Sequence, residues 1–430
     1  MRNKKKYQAL LCGIIPGGGQ IYNKQYSKAI FFSGAFILEL IFTITFGANA
    51  LIGLITLGSI PMVDNSMFML VRGSLAIIVY ALFTGLYILS LHDAYKIQQS
   101  IENGEEVGTN TREIIRKIWV NGFPYLISLP AYLLMSFVII FPVLVTLFIA
   151  FTNYDLAHTP PANLIDWVGF ENFFKLFIKS SFKSAFFDVL KWTLIWTFFS
   201  STLSVSLGVF VAIIANQPWI KGQRFFRTIF LLPWAVPAFV TILTFSNMFN
   251  DSFGAINVQI LPLINRIPFV EIAQIPWKTS ANWTKVAMIL IQTWLGFPYI
   301  YVMVTGVLQS IPGDLYEAAR IDGAGAMKRF QKITLPMILF STAPVMITQY
   351  TFNFNNFSMI YLFNQGGPGV VGGGAGSTDI LISWVYKLTT SGKPDYALAA
   401  AVTLLISTGL IIASLLGFKY SNAFDKEDMM

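Results

Sequence analysis

The residues best equipped for chemistry lie in two apolar runs. In one, Gln349-Tyr350-Thr351-Phe352-Asn353-Phe354-Asn355-Asn356-Phe357, side-chain amides alternate with aromatic rings and no charge is nearby. Amides donate and accept in pairs, which matches neighbouring hydroxyls, and ring faces cover apolar C–H surfaces. That combination suits non-covalent recognition of a neutral polyhydroxy ligand such as a sugar; a charged ligand would call for a fixed counter-charge. The same amides could instead bond neighbouring helices, a contact worth roughly 0.6 kcal/mol on average. In the other run, Trp294-Leu295-Gly296-Phe297-Pro298-Tyr299, Gly296 and Pro298 are expected to break helical regularity, which is tolerated where backbone lines a cavity. Pro233 and Pro237, in Leu232-Pro233-Trp234-Ala235-Val236-Pro237, are expected to do the same; each proline could equally mark a simple kink. Covalent chemistry finds no support. The chain has 1 Cys, which excludes an intrachain disulfide, and its 2 His argue against a zinc site; no acid, base or metal constellation stands out. Gly17-Gly18-Gly19 has no strand before it and no Lys-Ser/Thr after it, so it is not a phosphate loop, and no other nucleotide motif occurs.

The elements that must position these residues are membrane helices. The chain is 55% hydrophobic and 12% charged, with mean hydropathy +0.63. Soluble domains carry about 25% charged residues, so the fold class is all-α and polytopic. A span takes roughly 20 mostly apolar residues. The pattern predicts about eight, near 29–50, 68–91, 123–151, 190–215, 226–249, 286–309, 338–363 and 397–418. An even number places both termini on one side. Most Lys and Arg residues, including Lys4, Lys5, Lys6, Arg112, Arg224, Arg320, Lys328 and Arg329, fall on the side of the N-terminus, which predicts that both termini are cytoplasmic. This bias explains the net charge of +8 without nucleic acid. The basic start Arg2-Asn3-Lys4-Lys5-Lys6 precedes an apolar stretch that breaks at Pro16, and reads as no signal peptide. Phe173–Lys179 is amphipathic and suits the membrane surface, and the glycine-rich segment 366–376 reads as a flexible loop. Glu39 either pairs with Arg72 or faces a protein interior, and His92-Asp93 reads as an interfacial pair. There is no internal repeat.

Between the sixth and seventh predicted spans lies a charged stretch, Glu317–Pro336, with a helical pattern, a glycine break and a proline stop. Asp314 and Glu317 have the spacing of a capping box. Gly323 suits a left-handed helix exit. Leu315, Ala318 and Ala319 form a small apolar face that permits close approach by a partner. Pro336 then opens the next span, and the positive-inside bias puts this stretch in the cytoplasm.

Glu317-Ala318-Ala319, Asp322-Gly323-Ala324, Phe330, Ile333 and Leu335-Pro336 resemble the EAA loop of binding-protein-dependent ABC importer permeases, in the form carried by carbohydrate importers. Phe352–Phe357, Asn364-Gln365-Gly366-Gly367-Pro368 and Leu295–Tyr299 resemble the larger permease of maltose/maltodextrin-type importers. The resemblance covers roughly residues 120–425. It implies that Glu317, Ala318, Ala319, Asp322, Gly323 and Ala324 couple to an ATP-binding subunit, and that Leu295, Gly296, Tyr299, Phe352, Asn353 and Asn356 contact substrate. The chain departs from the enteric form in two places. A short segment, 152–189, replaces a large extracytoplasmic domain, and Gln349 stands where that form has a smaller polar residue. Three regions are implied: 1–115 with the first two spans, 116–189 with the third, and a permease core at 190–425 with its coupling loop at 311–336. The implied machine is an importer of the bacterial plasma membrane. It pairs this chain with a second, smaller permease, two copies of an ATP-binding subunit, an extracellular sugar-binding protein and an oligosaccharide, in contact with membrane lipid. The chain itself would carry no cofactor, since ATP binds the partner subunits, and it would not be an enzyme. Other cargoes, such as galacto-oligosaccharides or raffinose-type sugars, remain open. An ion-coupled carrier would need intramembrane acids, for which only Glu39 qualifies, and would leave the loop without a purpose.

Overall fold

Long apolar sequences satisfy their backbone polar groups in lipid only as helices or closed barrels, and this chain takes the helical solution. The structure, a computed structural model, describes residues 5–105, 107, 111–217 and 219–420. Among the described residues, seven helices are long and apolar enough to cross a membrane: Tyr26–Thr56, Ser66–Glu102, Gly122–Ile149, Ser180–Ala215, Ala281–Ser310, Ala326–Asn364 and Tyr396–Lys419. An eighth candidate, Gln223–Ala235 with Ala238–Met248, is bent by 88°. Counting that pair as the fifth span, the helices match the eight predicted runs in order. The predicted crossing at 226–249 is thus a broken one, with the break at Pro237 that the sequence led us to expect, whereas Pro233 lies inside the helix Gln223–Ala235. Pro237 has no N–H to give, and Val236 before it is forced into extended backbone.

The chain separates into two compact units, Met1–Gly169 and Phe170–Met430. In the first, the opening spans cross closely at Gly73, where a Cβ would strike Leu54. The segment after the third span folds back over them: Trp167 Nε1 donates to the carbonyls of Leu54 and Ile55, and the Ile165 amide donates to Ser66 Oγ. No ion pair joins Glu39 to Arg72 among the described residues. Asp93 does not pair with its neighbour His92. It bonds Lys28 at 2.5 Å and accepts from Gln20 at 3.3 Å, because both partners project from the chain packed beside it.

The second unit is organised by the fourth and sixth spans. Ser180–Ala215 buries Trp192, Trp196, Ser200, Ser204, Gly208 and Ala212, one residue every four. Ala281–Ser310 answers with Thr284, Met288, Gln292, Gly296, Ile300 and Val304 at the same spacing. Both helices therefore present a narrow ridge, and small residues on each let the backbones approach. The amphipathic stretch forms the helix Glu171–Ile178, with Leu176 buried and Lys175 held 2.5 Å from Asp395 at the start of the last span.

The glycine-rich segment is not a flexible loop. Val370–Gly372 pairs antiparallel with Ala375–Gly376, and the hairpin seats on the fourth span near Ser181 and Ala185. Trp192 Nε1 donates to Thr378 O, and Trp384 Nε1 donates to Gly373 O. The glycines supply left-handed backbone and close approach instead of disorder: at Gly366, φ is +76° and a Cβ would strike the Asp379 carboxylate. That carboxylate is buried, accepting from Gly376 N, Ser383 Oγ and Lys387 Nζ.

The fourth–sixth crossing gives a direct test. A Cβ at Gly208 would lie 2.6 Å from Ile300 Cβ and 2.8 Å from the Phe297 carbonyl. Gly208→Leu is expected to lower stability by roughly 1–3 kcal/mol, the usual cost of overpacking, read as a fall in the thermal unfolding midpoint of the detergent-solubilised protein. An unchanged midpoint would refute the close crossing.

Candidate functional site

The amides of the seventh span meet the polar stripe of the fourth. Asn353 Nδ2 donates to Ser201 Oγ at 2.9 Å, and its backbone carbonyl accepts from Trp196 Nε1 at 2.8 Å. Asn353 is fully buried, yet its Oδ1 has no partner. The helix Leu335–Phe354 ends there, and a new one, Phe357–Asn364, begins after Asn355-Asn356. Asn356 makes that restart possible, because its Oδ1 accepts from the Met359 amide as a cap while its Nδ2 donates to Gln292 Oε1 at 3.0 Å. Gln292 also accepts, through its backbone carbonyl, from Ser204 Oγ. Gly296 lies one turn further along the sixth span, where a Cβ would be 2.6 Å from Ser204 Oγ. The structure thus joins Asn353, Asn356 and Gly296 in one buried polar ladder.

The other three sequence-derived positions are more open. Leu295 is half-buried, Tyr299 is 38% exposed and Phe352 is 61% exposed. The Tyr299 ring lies 5.6 Å from that of Trp234, which the bent fifth span carries. Asn355, beside Phe352, is exposed as well. The expected break at Gly296 and Pro298 does not occur. Ala281–Ser310 runs unbroken through both: Gly296, Phe297 and Pro298 are buried, and Gly296 supplies close approach to the fourth span. Sequence reading did not single out Ser201, Ser204, Gln292 or Trp234. Ser204 was visible as a small polar residue on the four-residue ridge of an apolar span, and Ser201 as a small polar residue beside that ridge.

The charged stretch forms two helices, Gly313–Ile321 and Ala326–Arg329, around Gly323 at φ +73°. Tyr316 and Thr334 hydroxyls, 2.8 Å apart, tie them together. Two expectations are corrected. Asp314 is not the cap: the first helix starts behind Pro312, so Asp314 already lies in the first turn, and no side chain caps it. Pro336 opens the α-helix of the seventh span, as expected, but no stop separates that helix from the loop. The second helix passes through a wide π-type turn, Phe330–Thr334, directly into the seventh span, with Pro336 in the first turn of the α-helix that follows. A proline is tolerated there because first-turn N–H groups need no partner from the helix.

Neither short helix buries a residue. Glu317, Ala318, Asp322 and Gly323 are exposed, and Ala319 and Ala324 are half-exposed. Glu317 forms no ion pair among the described residues. Ile321 and Met327, which the sequence did not mark, are 87% and 67% exposed. Between the loop and the ends of the fourth and sixth spans lies a cavity of about 660 Å³, lined by Asn216, Gln217, Tyr316, Glu317, Arg320 and Phe330 among others. A bare acid beside bare apolar side chains is a surface suited to a protein partner.

Residues 204–421 match the family model described as the binding-protein-dependent transport system inner membrane component. The chain belongs to this family. The permease is also 60% identical over 430 residues, 99% of this chain and 98% of the relative, to the maltodextrin transport system permease protein MdxF of Bacillus subtilis (strain 168). It is 49% identical, over 97% of this chain and 98% of the relative, to the galactooligosaccharides transport system permease protein GanP of the same organism. Among solved structures it resembles a bacterial ABC transporter that imports the acidic polysaccharide alginate. That likeness has a TM-score of 0.59 at 20% identity and covers 73% of this chain and all of that one; it bears on fold alone. The chain is thus a multi-pass membrane permease of the type I ABC importer fold.

The division between buried and open positions is testable in the permease itself. Asn356→Ala removes a cap and orphans Gln292, and is expected to cost about 1 kcal/mol or more. Phe352→Ala removes a mostly exposed ring and is expected to leave the unfolding midpoint near that of the parent. Equal losses in both variants would overturn the division.

Proposed function

We propose that this permease is the larger membrane subunit of an importer for malto-oligosaccharides, driven by ATP hydrolysis in a separate subunit. The observation that carries the reading is end-to-end identity of 60% with a maltodextrin permease. The 49% identity with a galactooligosaccharide permease supports the second reading, the same machine with that cargo. In the proposed assembly an extracellular binding protein delivers sugar, a smaller permease completes the path, and two ATP-binding subunits grip the 311–336 loop. Both termini lie in the cytoplasm of a bacterial cell, and the chain holds no cofactor of its own.

The six substrate positions then divide by role. Tyr299 and Phe352, with exposed ring surface, cover the apolar faces of the pyranose, and half-buried Leu295 extends that surface. Asn353 offers its unpartnered Oδ1 to a sugar hydroxyl, while Asn356 and Gly296 hold the helices that set its position. At the loop, Glu317 meets a basic residue of the ATP-binding subunit. Ala318, Ala319 and Ala324 allow close contact, and Asp322 with Gly323 makes the turn between the two helices.

Three measurements test this reading. Tyr299→Ala and Phe352→Ala in the reconstituted complex are each expected to raise the half-saturating maltodextrin concentration about threefold to tenfold, the worth of one aromatic contact. Galacto-oligosaccharide transport exceeding maltodextrin transport in the parent would favour the second cargo. Glu317→Lys is expected to abolish sugar-stimulated ATP hydrolysis while the permease remains in the membrane. Hydrolysis at the parental rate would remove the coupling role.

A further inference from the structure

The N-terminal segment forms a helical hairpin that transport does not explain. Lys5–Cys12 and Gly18–Tyr22 fold against each other just before the first span begins at Tyr26. Each glycine of the turn is sterically required. A Cβ at Gly17 would strike Ser33, one at Gly18 the Cys12 carbonyl, and one at Gly19 would lie 2.6 Å from the Ala9 carbonyl and 2.7 Å from Ala94. Polar side chains fasten the hairpin to the second span. Fully buried Gln20 bonds the Ser90 carbonyl at 2.8 Å and Asp93, Asn23 bonds the Ala94 carbonyl at 2.7 Å, and Tyr87 donates to the Ile14 carbonyl. The hairpin is therefore a built, fixed element.

Its outward side is apolar. Leu11, Ile14 and Ile15 are 63%, 63% and 70% exposed, with Tyr7 and Tyr22 beside them and Lys5 and Lys24 exposed at the margins. Its depth follows from its contacts. Gly13 lies against Leu91 and Gly19 against Ala94, where the apolar run of the second span ends and His92, Asp93 and Lys96 begin. This is the level at which a span meets water. Apolar side chains facing outward there, flanked by tyrosines and lysines, have the composition of an interfacial anchor.

We propose that the Lys5–Tyr22 hairpin lies in the headgroup layer as a lipid-binding anchor, with Leu11, Ile14 and Ile15 in the acyl boundary and Lys5 and Lys24 on anionic phospholipid headgroups. It fixes the first two spans in depth and rotation relative to the bilayer surface. The proposal needs only that the chain spans a membrane, and stands whatever the cargo.

Cys12, exposed and the sole cysteine, is a native reporter. The full importer complex would be nitroxide-labelled there and placed in nanodiscs of phosphatidylcholine with or without phosphatidylglycerol. The expected result is oxygen accessibility above that of a water-soluble nickel chelate. Ile15→Cys in a Cys12→Ser background should show the same, more strongly, so that one perturbed site does not decide the outcome. Nickel accessibility at the level of a water-exposed site would overturn the proposal, as would exclusion of both reagents, which means a protein subunit covers the hairpin. In nanodiscs with phosphatidylglycerol, Lys5→Glu with Lys24→Glu should shift the label toward water at least twofold in the accessibility ratio. No shift would remove the anionic-lipid part.

Discussion

The structure of the permease core depends on one helix crossing. The fourth and sixth spans meet along ridges spaced four residues apart, and the contact works only because Ser204, Gly208 and Ala212 on one helix face Gly296 and Ile300 on the other. In lipid no hydrophobic effect drives two helices together, so close packing and interhelical hydrogen bonds must supply the attraction. Small residues bring the backbones close, and closeness lets Ser204 reach the Gln292 carbonyl. From Gln292 the network continues to Asn356, which caps the restarted seventh span. Removing closeness at the crossing would therefore cost the polar ladder its geometry as well.

That ladder is an expensive object at membrane depth, and its cost bears on its meaning. A buried polar atom without a partner loses the free energy of a hydrogen bond it could make in water, about 1–3 kcal/mol. Gln292 and Asn356 avoid this by satisfying each other, and Ser201 satisfies one end of Asn353. Asn353 Oδ1 does not avoid it. A network so complete elsewhere that leaves one acceptor open has a place for one more donor. Phe352 and Asn355, on either side of it in the chain, are exposed.

What was legible in the sequence follows from which forces are local. Each predicted span has its helix because spanning length and apolarity are local properties, and the helix–glycine–helix of the loop was legible because Gly323 needs left-handed backbone wherever it is. The failures are all tertiary. Pro298 looked like a break and is not, being buried in a continuous helix packed along the fourth span, whereas exposed Pro237 does break its span, as it looked. The glycines of 366–376 looked flexible; Trp192, Trp384 and Asp379, each bonding the segment or a residue beside it, make it an ordered hairpin. The six proposed substrate positions carried no sign of which would be buried. Asn353 and Asn356 are of one residue type three positions apart, and only the helix break between them and the bonds to Ser201 and Gln292 give each its surroundings.

The continuity of the seventh span links the two halves of the proposed mechanism. Had Pro336 ended a helix, the loop would be hinged to the membrane part and its movement would dissipate in the hinge. Instead, helix runs from Ala326 through the π-type turn to Phe354. At 1.5 Å per residue this rod carries Met327 on the exposed loop and Asn353 in the ladder roughly 40 Å apart. A partner that moved the loop would move Asn353 with it, except for what the π-type turn and Pro344 within the helix absorb. The tie between Tyr316 and Thr334 crosses the base of the rod and makes the first loop helix move with the second. Motion reaching Asn353 would pull against the Trp196 and Ser201 bonds that hold it to the fourth span. In the proposed mechanism, force on the 311–336 loop and the state of the open acceptor would then be linked through one helix.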